Sequence, residues 1–270
     1  MRPRRERCFG QSTNLVGLST DLLASPHFNA HPQAMHISGV REMNRSLFEM
    51  LGHAPDLADA AIAFHAYMSA MFCADPEQAD EEPGPRRYRA SFLRLLKGWG
   101  YDSNGPEGAV LKGWVQSRFG LFPTYHKAVI DRISGPTWTS YVEEKMSSRF
   151  HNNAIHTQLD ILYEFCQWAL RSHAAAGKTH LTLYRGTNSF DEHQIVKRID
   201  RRRVIMRINN LASFSEDRDV AGCFGDVIVT TMVPVVKVFF FNTLLPMHPL
   251  KGEGEYLVIG GDYLADASYL

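Results

Sequence analysis

The spacing of apolar residues divides the chain into a helical first part and a strand-rich last third. Val40, Met43, Leu47, Met50 and Leu51 recur at three- and four-residue intervals and predict a helix from Val40 to about Leu51. Ala58 to Cys73 repeats the pattern more strongly, and the acids, Pro and Gly of Asp75 to Pro85 end it. Arg89 to Trp99 predicts another helix, with Phe92, Leu95, Leu96 and Trp99 on one face. Gly100 to Pro106 reads as a loop, and Val110 to Ile133 holds at least one further helix, interrupted near Gly120 and Pro123. Tyr141 to His173 contains a long amphipathic helix, clearest at Leu159, Leu162, Phe165, Cys166, Trp168 and Ala169. The Met and aromatic stripes of this half are most simply core.

After Gly177 the period changes. Leu181 to Tyr184, Val204 to Leu211, Asp226 to Val233, Val235 to Phe241 and Tyr256 to Ile259 are short β-type runs. Strands that follow a helical half predict an α+β fold, with helices packed on a compact, mainly antiparallel sheet assembly. Residues 8–40, rich in Ser, Thr, Asn, His and Pro, read as an irregular segment over the main body. His27 and His31 have a metal-helix spacing, but Pro32 follows and no Glu lies between them, so no metal is assigned.

Composition changes this picture little. The 270 residues suffice for one large domain or two modest ones, at 44% hydrophobic and 21% charged. Lys plus Arg and Asp plus Glu both number 29, so no overall field favours nucleic acid. The basic start, Met1 to Arg7, leads into no apolar signal-peptide core, and no run is long enough for a membrane span. Cys8, Cys73, Cys166 and Cys223 are far apart, which suggests buried free thiols in a reducing, cytoplasmic compartment.

The candidate chemistry sits in the strand-rich part, at three places. Arg185 ends a strand and precedes Gly186, where a planar guanidinium fork suits a diphosphate; a surface arginine is the alternative. Ser213 and Ser215 flank Phe214 at the end of the next run, and their hydroxyls share a face; a helix start at Ser215-Glu216 is the alternative. Glu253 and Glu255 flank Gly254 just before an apolar run, so both carboxylates project to one side, roughly 7 Å apart. Such a pair suits stabilising a developing oxocarbenium ion while holding a cationic reactant. A solvated Lys-Gly-Glu-Gly-Glu turn is the alternative.

The order strand-Arg-Gly, strand-Ser-x-Ser, Glu-x-Glu-strand resembles the Arg-Ser-Glu class of mono-ADP-ribosyltransferases, as does Ala221-x-x-Phe224-Gly225. Ser12 to Gly17, His36 to Arg45, Leu183 to Asn188 and Gly252 to Gly261 look like the nitrogen-fixation branch, the dinitrogenase reductase ADP-ribosyltransferases. Phe214 departs from the wider class, where Thr is common between the serines.

The resemblance implies the ADP-ribosyltransferase type of β-sandwich and transfer of ADP-ribose from NAD to an arginine of dinitrogenase reductase, with no metal required. Arg185 is then expected to hold the NAD diphosphate, Gly186 the nicotinamide carboxamide and Ser213 to orient Glu255. Glu255 is expected to stabilise the oxocarbenium-like state, Glu253 to hold the target guanidinium, and Phe224 to pack on the nicotinamide ring. Residues 1–110 are expected to select the target and 111–270 to form the catalytic core, with NAD contacts in 178–270. A P-II-type nitrogen-signalling regulator is a further implied partner. An NAD glycohydrolase and a non-enzymatic NAD-site binding module are the alternatives.

Overall fold

The computed structural model describes residues 10–72, 91–147, 153–188, 194–246 and 254–269. Among the described residues, seven helices precede the first strands: α1 (Thr20–Ala24), α2 (Pro26–Ala30), α3 (Val40–Met43), α4 (Arg45–Gly52), α5 (Leu57–Phe72), α6 (Phe92–Tyr101) and α7 (Pro106–Phe119). A two-residue hairpin, β1 (Tyr125–His126) and β2 (Ala128–Val129), leads to α8 (Pro136–Lys145) and α9 (Asn153–Ala169). Then come β3 (His180–Thr187), β4 (Gln194–Arg198), β5 (Arg203–Ser215), α10 (Arg218–Gly222), β6 (Val227–Pro234), β7 (Val238–Phe241) and β8 (Glu255–Tyr269). The fold is α+β, and every strand pairing among the described residues is antiparallel.

Local chemistry explains most element ends. Pro26, Pro106 and Pro136 stand where α2, α7 and α8 begin, positions that need no N–H. Segment 8–40, expected to be irregular, holds two short helices because Ser19 and Ser25 each cap one with a side-chain oxygen. The helix expected from Val40 to Leu51 is split at Asn44, whose side chain donates to the Val40 carbonyl at 2.7 Å. Val235–Lys237, read as strand, is a 3₁₀ turn before β7.

Helix α9 is the strut of the molecule. Its apolar face is buried as expected, and so are the polar side chains Gln158, Asp160, Glu164 and Gln167. Each of them ties α9 to another element. Gln158 accepts from Phe92 N–H at 3.0 Å, and Asp160 from Trp114 Nε1 and Arg118. Glu164 accepts from Ile37 N–H and Arg41, while Gln167 donates to the Val235 and Val238 carbonyls. Buried polar groups must be paired, so these residues fix how the helices sit on β7. A continuous apolar core joins the helices to the sheet.

The sheet returns on itself. β5 pairs with β3 and β8, and β6 also pairs with β3 and β8, so four strands form a cycle. The β5–β8 ladder runs from Arg203↔Asp266 to Ser215↔Glu255, with a register shift between Ile208 and Leu211. There Asn209 and Asn210 oppose Gly260, and loop 121–126 binds the bulge. Asn209 accepts from Thr124 N–H and donates to the Tyr125 carbonyl, and Asn210 donates to the carbonyls of Lys112 and Leu121. Lys237, fully buried in the 3₁₀ turn before β7, donates to the Gly260 carbonyl at 3.0 Å. Bulges raise local twist, and this one bends β5 and β8 together.

Of the cysteines expected to be buried, Cys166 is buried but Cys223 is exposed, since α10 ends at the surface; Cys8 and Cys73 lie outside the described residues. Among the described residues, no helix is long and apolar enough to cross a membrane.

Candidate active site

The ends of β3, β5 and β8 meet at one place. Ser215 lies opposite Glu255, and Ser213 opposite Leu257, so Ser213, Ser215, Glu255 and Leu257 share one face of the ladder. Ser213 and Glu255 are diagonal neighbours, within reach of each other. The Ser213 hydroxyl donates to Glu255 Oε1 at 2.5 Å. Arg185 reaches the same residue from β3, its Nη1 donating to the Ser213 carbonyl at 2.6 Å. Three motifs separated in the chain are thereby joined through Ser213.

The second serine has a different task. Ser215 is buried, and its Oγ accepts from Asp217 N–H at 3.0 Å, while Asp217 caps α10 by accepting from Asp219 and Val220. The helix cap therefore falls at Asp217, and the helix begins three residues after Ser215. Phe214 points to the opposite face, paired with Tyr256 and buried in the core, where Tyr256 stacks on Phe241 at 5.9 Å. A large apolar residue between the serines fills core and leaves the hydroxyl face unchanged.

Gly186 continues β3 beneath α10. A Cβ there would lie 2.0 Å from the Ala221 carbonyl oxygen and 3.0 Å from Gly225 N. The Ala221-x-x-Phe224-Gly225 stretch is thus laid directly on the strand after Arg185. Phe224 itself is 54% exposed, an aromatic face at the edge of the site that packs on little of the protein. Gly254 takes φ +52, and its carbonyl accepts from Glu216 N–H at 3.2 Å, which sets where β8 begins. Glu253, the other expected carboxylate, lies outside the described residues.

A cleft of about 490 Å³ is lined by Tyr184, Glu216, Asp217, Arg218, Val220 and Gly254, chain neighbours of Arg185, Ser215 and Glu255. A smaller cleft of about 230 Å³, with Trp138, Arg207, Asn210 and Gly261 on its walls, lies past the bulge and holds none of the motif residues. Neither cleft is lined by Arg185, Ser213, Phe224 or Glu255; the first includes Gly254, the glycine before Glu255.

Two residues at this site were invisible as such in the sequence. Trp99, at the end of α6, donates from Nε1 to Ser213 Oγ at 2.9 Å. The apolar stripe placed it in the core, where it is, but periodicity carries no signal for where an indole N–H points. Lys112 on α7 is buried under the Trp99 ring, its Nζ 5.9 Å from the ring centroid. It donates to Asn104 Oδ1 at 3.0 Å and the Tyr125 carbonyl at 3.2 Å, and stands 3.4 Å from His126 Nδ1. Burial pulls its pKa down to about 7, and the nearby Arg185 charge acts in the same direction, against Asp102 and Glu144. His126, held low by burial, contacts Glu144 through Nε2 at 2.9 Å.

No solved structure matches the chain. The family described as dinitrogenase reductase ADP-ribosyltransferase matches it over residues 13–267. A curated relative, the NAD(+)--dinitrogen-reductase ADP-D-ribosyltransferase of Rhodospirillum rubrum, is 66% identical over 265 residues, covering 97% of this chain and 96% of that protein. The hydroxyl, guanidinium and carboxylate gathered at Ser213 therefore belong to a chain of known kind: it is a member of the dinitrogenase reductase ADP-ribosyltransferase family.

Proposed function

We propose that this chain transfers ADP-ribose from NAD to an arginine of dinitrogenase reductase, and that Arg185, Gly186, Ser213, Phe224, Glu253 and Glu255 carry the reaction. The observation that supports this site best is the junction at Ser213, which takes Arg185 on its carbonyl and gives its proton to Glu255. The cyclic antiparallel sheet with the site at its strand ends fits the ADP-ribosyltransferase type of sandwich.

NAD is the donor substrate. In the reaction the bond from ribose C1′ to the nicotinamide nitrogen breaks, and its electron pair neutralises the pyridinium ring. A bond from C1′ to an arginine nitrogen forms, and the guanidinium loses a proton. Glu255 stabilises the positive charge that develops on the sugar, as carboxylates do in glycoside hydrolysis. The Arg185 fork holds the diphosphate, and the Gly186 backbone holds the carboxamide. Exposed Phe224 covers the nicotinamide ring. Glu253 orients the target guanidinium, which is charged in water and a poor nucleophile until positioned.

Residues 111–177 close over the donor on this reading, and the N-terminal region selects the target, with a P-II-type regulator as a second partner. Thr20, Leu23, Ala24 and Phe28 are buried, so target selection is tested by surface substitution rather than by truncation. Replacing exposed Met43 and Ile62 by Ser should weaken labelling of dinitrogenase reductase more than NAD binding. The test of the whole reading incubates the protein with labelled NAD and purified dinitrogenase reductase. Label on an arginine is the expected result. Nicotinamide release without labelled protein reveals a glycohydrolase, and absence of NAD binding reveals a non-catalytic module.

A further inference from the structure

A serine hydroxyl has one proton and two lone pairs, and in isolation it turns freely between acting as donor and acceptor. At Ser213 that freedom is removed. The indole N–H of Trp99 can only donate, and it lies 2.9 Å from Ser213 Oγ. With a lone pair so occupied, the hydroxyl proton is directed to Glu255 Oε1, 2.5 Å away. Donation therefore runs one way, from indole to hydroxyl to carboxylate, and each bond polarises the next.

The indole is itself held. Trp99 is 4% exposed, in the last turn of α6, whose first N–H is pinned by Gln158 of α9. The Lys112 ammonium sits at its ring, tied to Asn104 and the Tyr125 carbonyl. Because α9 also grips β7, the indole and β8 share one rigid frame. None of the three motifs that carry the chemistry contains Trp99.

We propose that Trp99 is a positioning residue for ADP-ribose transfer: its N–H fixes Ser213 as a donor to Glu255 and so sets the angle of the carboxylate that faces the reacting sugar. The inference rests on the transfer reading given above. Trp99 acts only through Ser213 and touches neither NAD nor the target arginine.

Two replacements remove the N–H while keeping an aromatic body: Trp99→Phe, and 3-benzothienylalanine at position 99, which keeps the bicyclic shape. Each should lower kcat for arginine labelling and for nicotinamide release about tenfold, the effect of one lost hydrogen bond, with KM for NAD within about twofold. Introduced into Ser213→Ala, Trp99→Phe should cost no more than about a further twofold, because the two residues act as one unit. A structural role alone predicts that the losses multiply, and that result overturns the proposal. So does a kcat within about twofold of the parent for the benzothienyl variant, which decides the matter if the Phe variant does not fold. A parent protein that neither labels arginine nor releases nicotinamide removes the transfer reading itself, an outcome visible before any variant is made.

Discussion

The β5–β8 ladder uses the same kinds of residue differently on the two sides of its bulge. Past the bulge, Arg207 grips Asp262 through two bonds, Nε to Oδ1 at 2.8 Å and Nη2 to Oδ2 at 3.0 Å, and Asn29 donates to the Asp262 carbonyl. That guanidinium and carboxylate satisfy each other. At the other end Arg185 donates to the Ser213 carbonyl, and the Ser213 hydroxyl donates to Glu255. There one serine, Ser213, accepts a bond from the arginine and donates one to the acid. The bulge at Asn209–Asn210 separates the two regimes.

The sharpest way to break this comparison is to delete a carboxylate at each end. Asp262→Ala takes the buried carboxylate from half-buried Arg207 and a favourable charge from Lys237, so unfolding free energy should fall by about 3 kcal/mol, read from the denaturant midpoint. Glu255→Gln should leave the melting temperature near the parent's and lower both arginine labelling and nicotinamide release by about 10²–10³. If the stability loss appears at Glu255 instead, the ladder's polar ends are assigned the wrong way round.

Glu253→Gln sharpens the chemistry within the site. It should lose transfer to arginine by a similar factor of about 10²–10³ while keeping NAD affinity and nicotinamide release to water. Loss of both activities there, with hydrolysis kept in Glu255→Gln, reverses the two roles. Next in size is Arg185→Lys, which keeps charge but loses the fork. NAD binding should weaken by about 1.5–3 kcal/mol, measured by calorimetry, with transfer restored at saturating NAD.

The smallest effect concerns pH and compares the two buried lysines. Burial lowers Lys112 and Lys237 to about 7, against an ordinary lysine value of 10.5. Unfolding from the neutral form therefore takes up protons, and the burden of a buried cation is full below pH 7 and relieved as pH rises toward 10.5. Each lysine should add at most about 1.4 kcal/mol of stability per pH unit above pH 7. Lys112→Met and Lys237→Met should each flatten that slope by one proton. A slope unchanged in both variants shows that neither lysine is neutral in the folded protein.

Much of the site was legible before any fold was known, for a physical reason. Arg185, Ser213 and Glu255 stand near strand ends, where alternation of side chains along an extended backbone predicts which groups share a face. The Ser213 and Ser215 hydroxyls share one as expected, and Phe214 turns away as alternation demands. Helices α5, α6 and α7 and the change of period after Gly177 could be placed from apolar spacing, and the stop after Phe119 from Gly120.

Pairing lay beyond such local rules. That Ser215 meets Glu255 and not another strand end depends on long-range register, set by the bulge opposite Gly260 and by loop 121–126, contacts between residues far apart in the chain. The residues 260–269 of β8 alternate too weakly to be read as strand until β5 and β6 pair with them. Periodicity also makes Trp99 and Lys112 equal members of helical faces. Only the packing of α6 and α7 on β5 decides that one lends its N–H to Ser213 and the other is buried beneath it. The sequence by itself determined which chemical groups this protein has and which local face each occupies, because propensity and alternation act over a few residues. The tertiary structure decided which of those groups meet, because register and burial are properties of the whole chain.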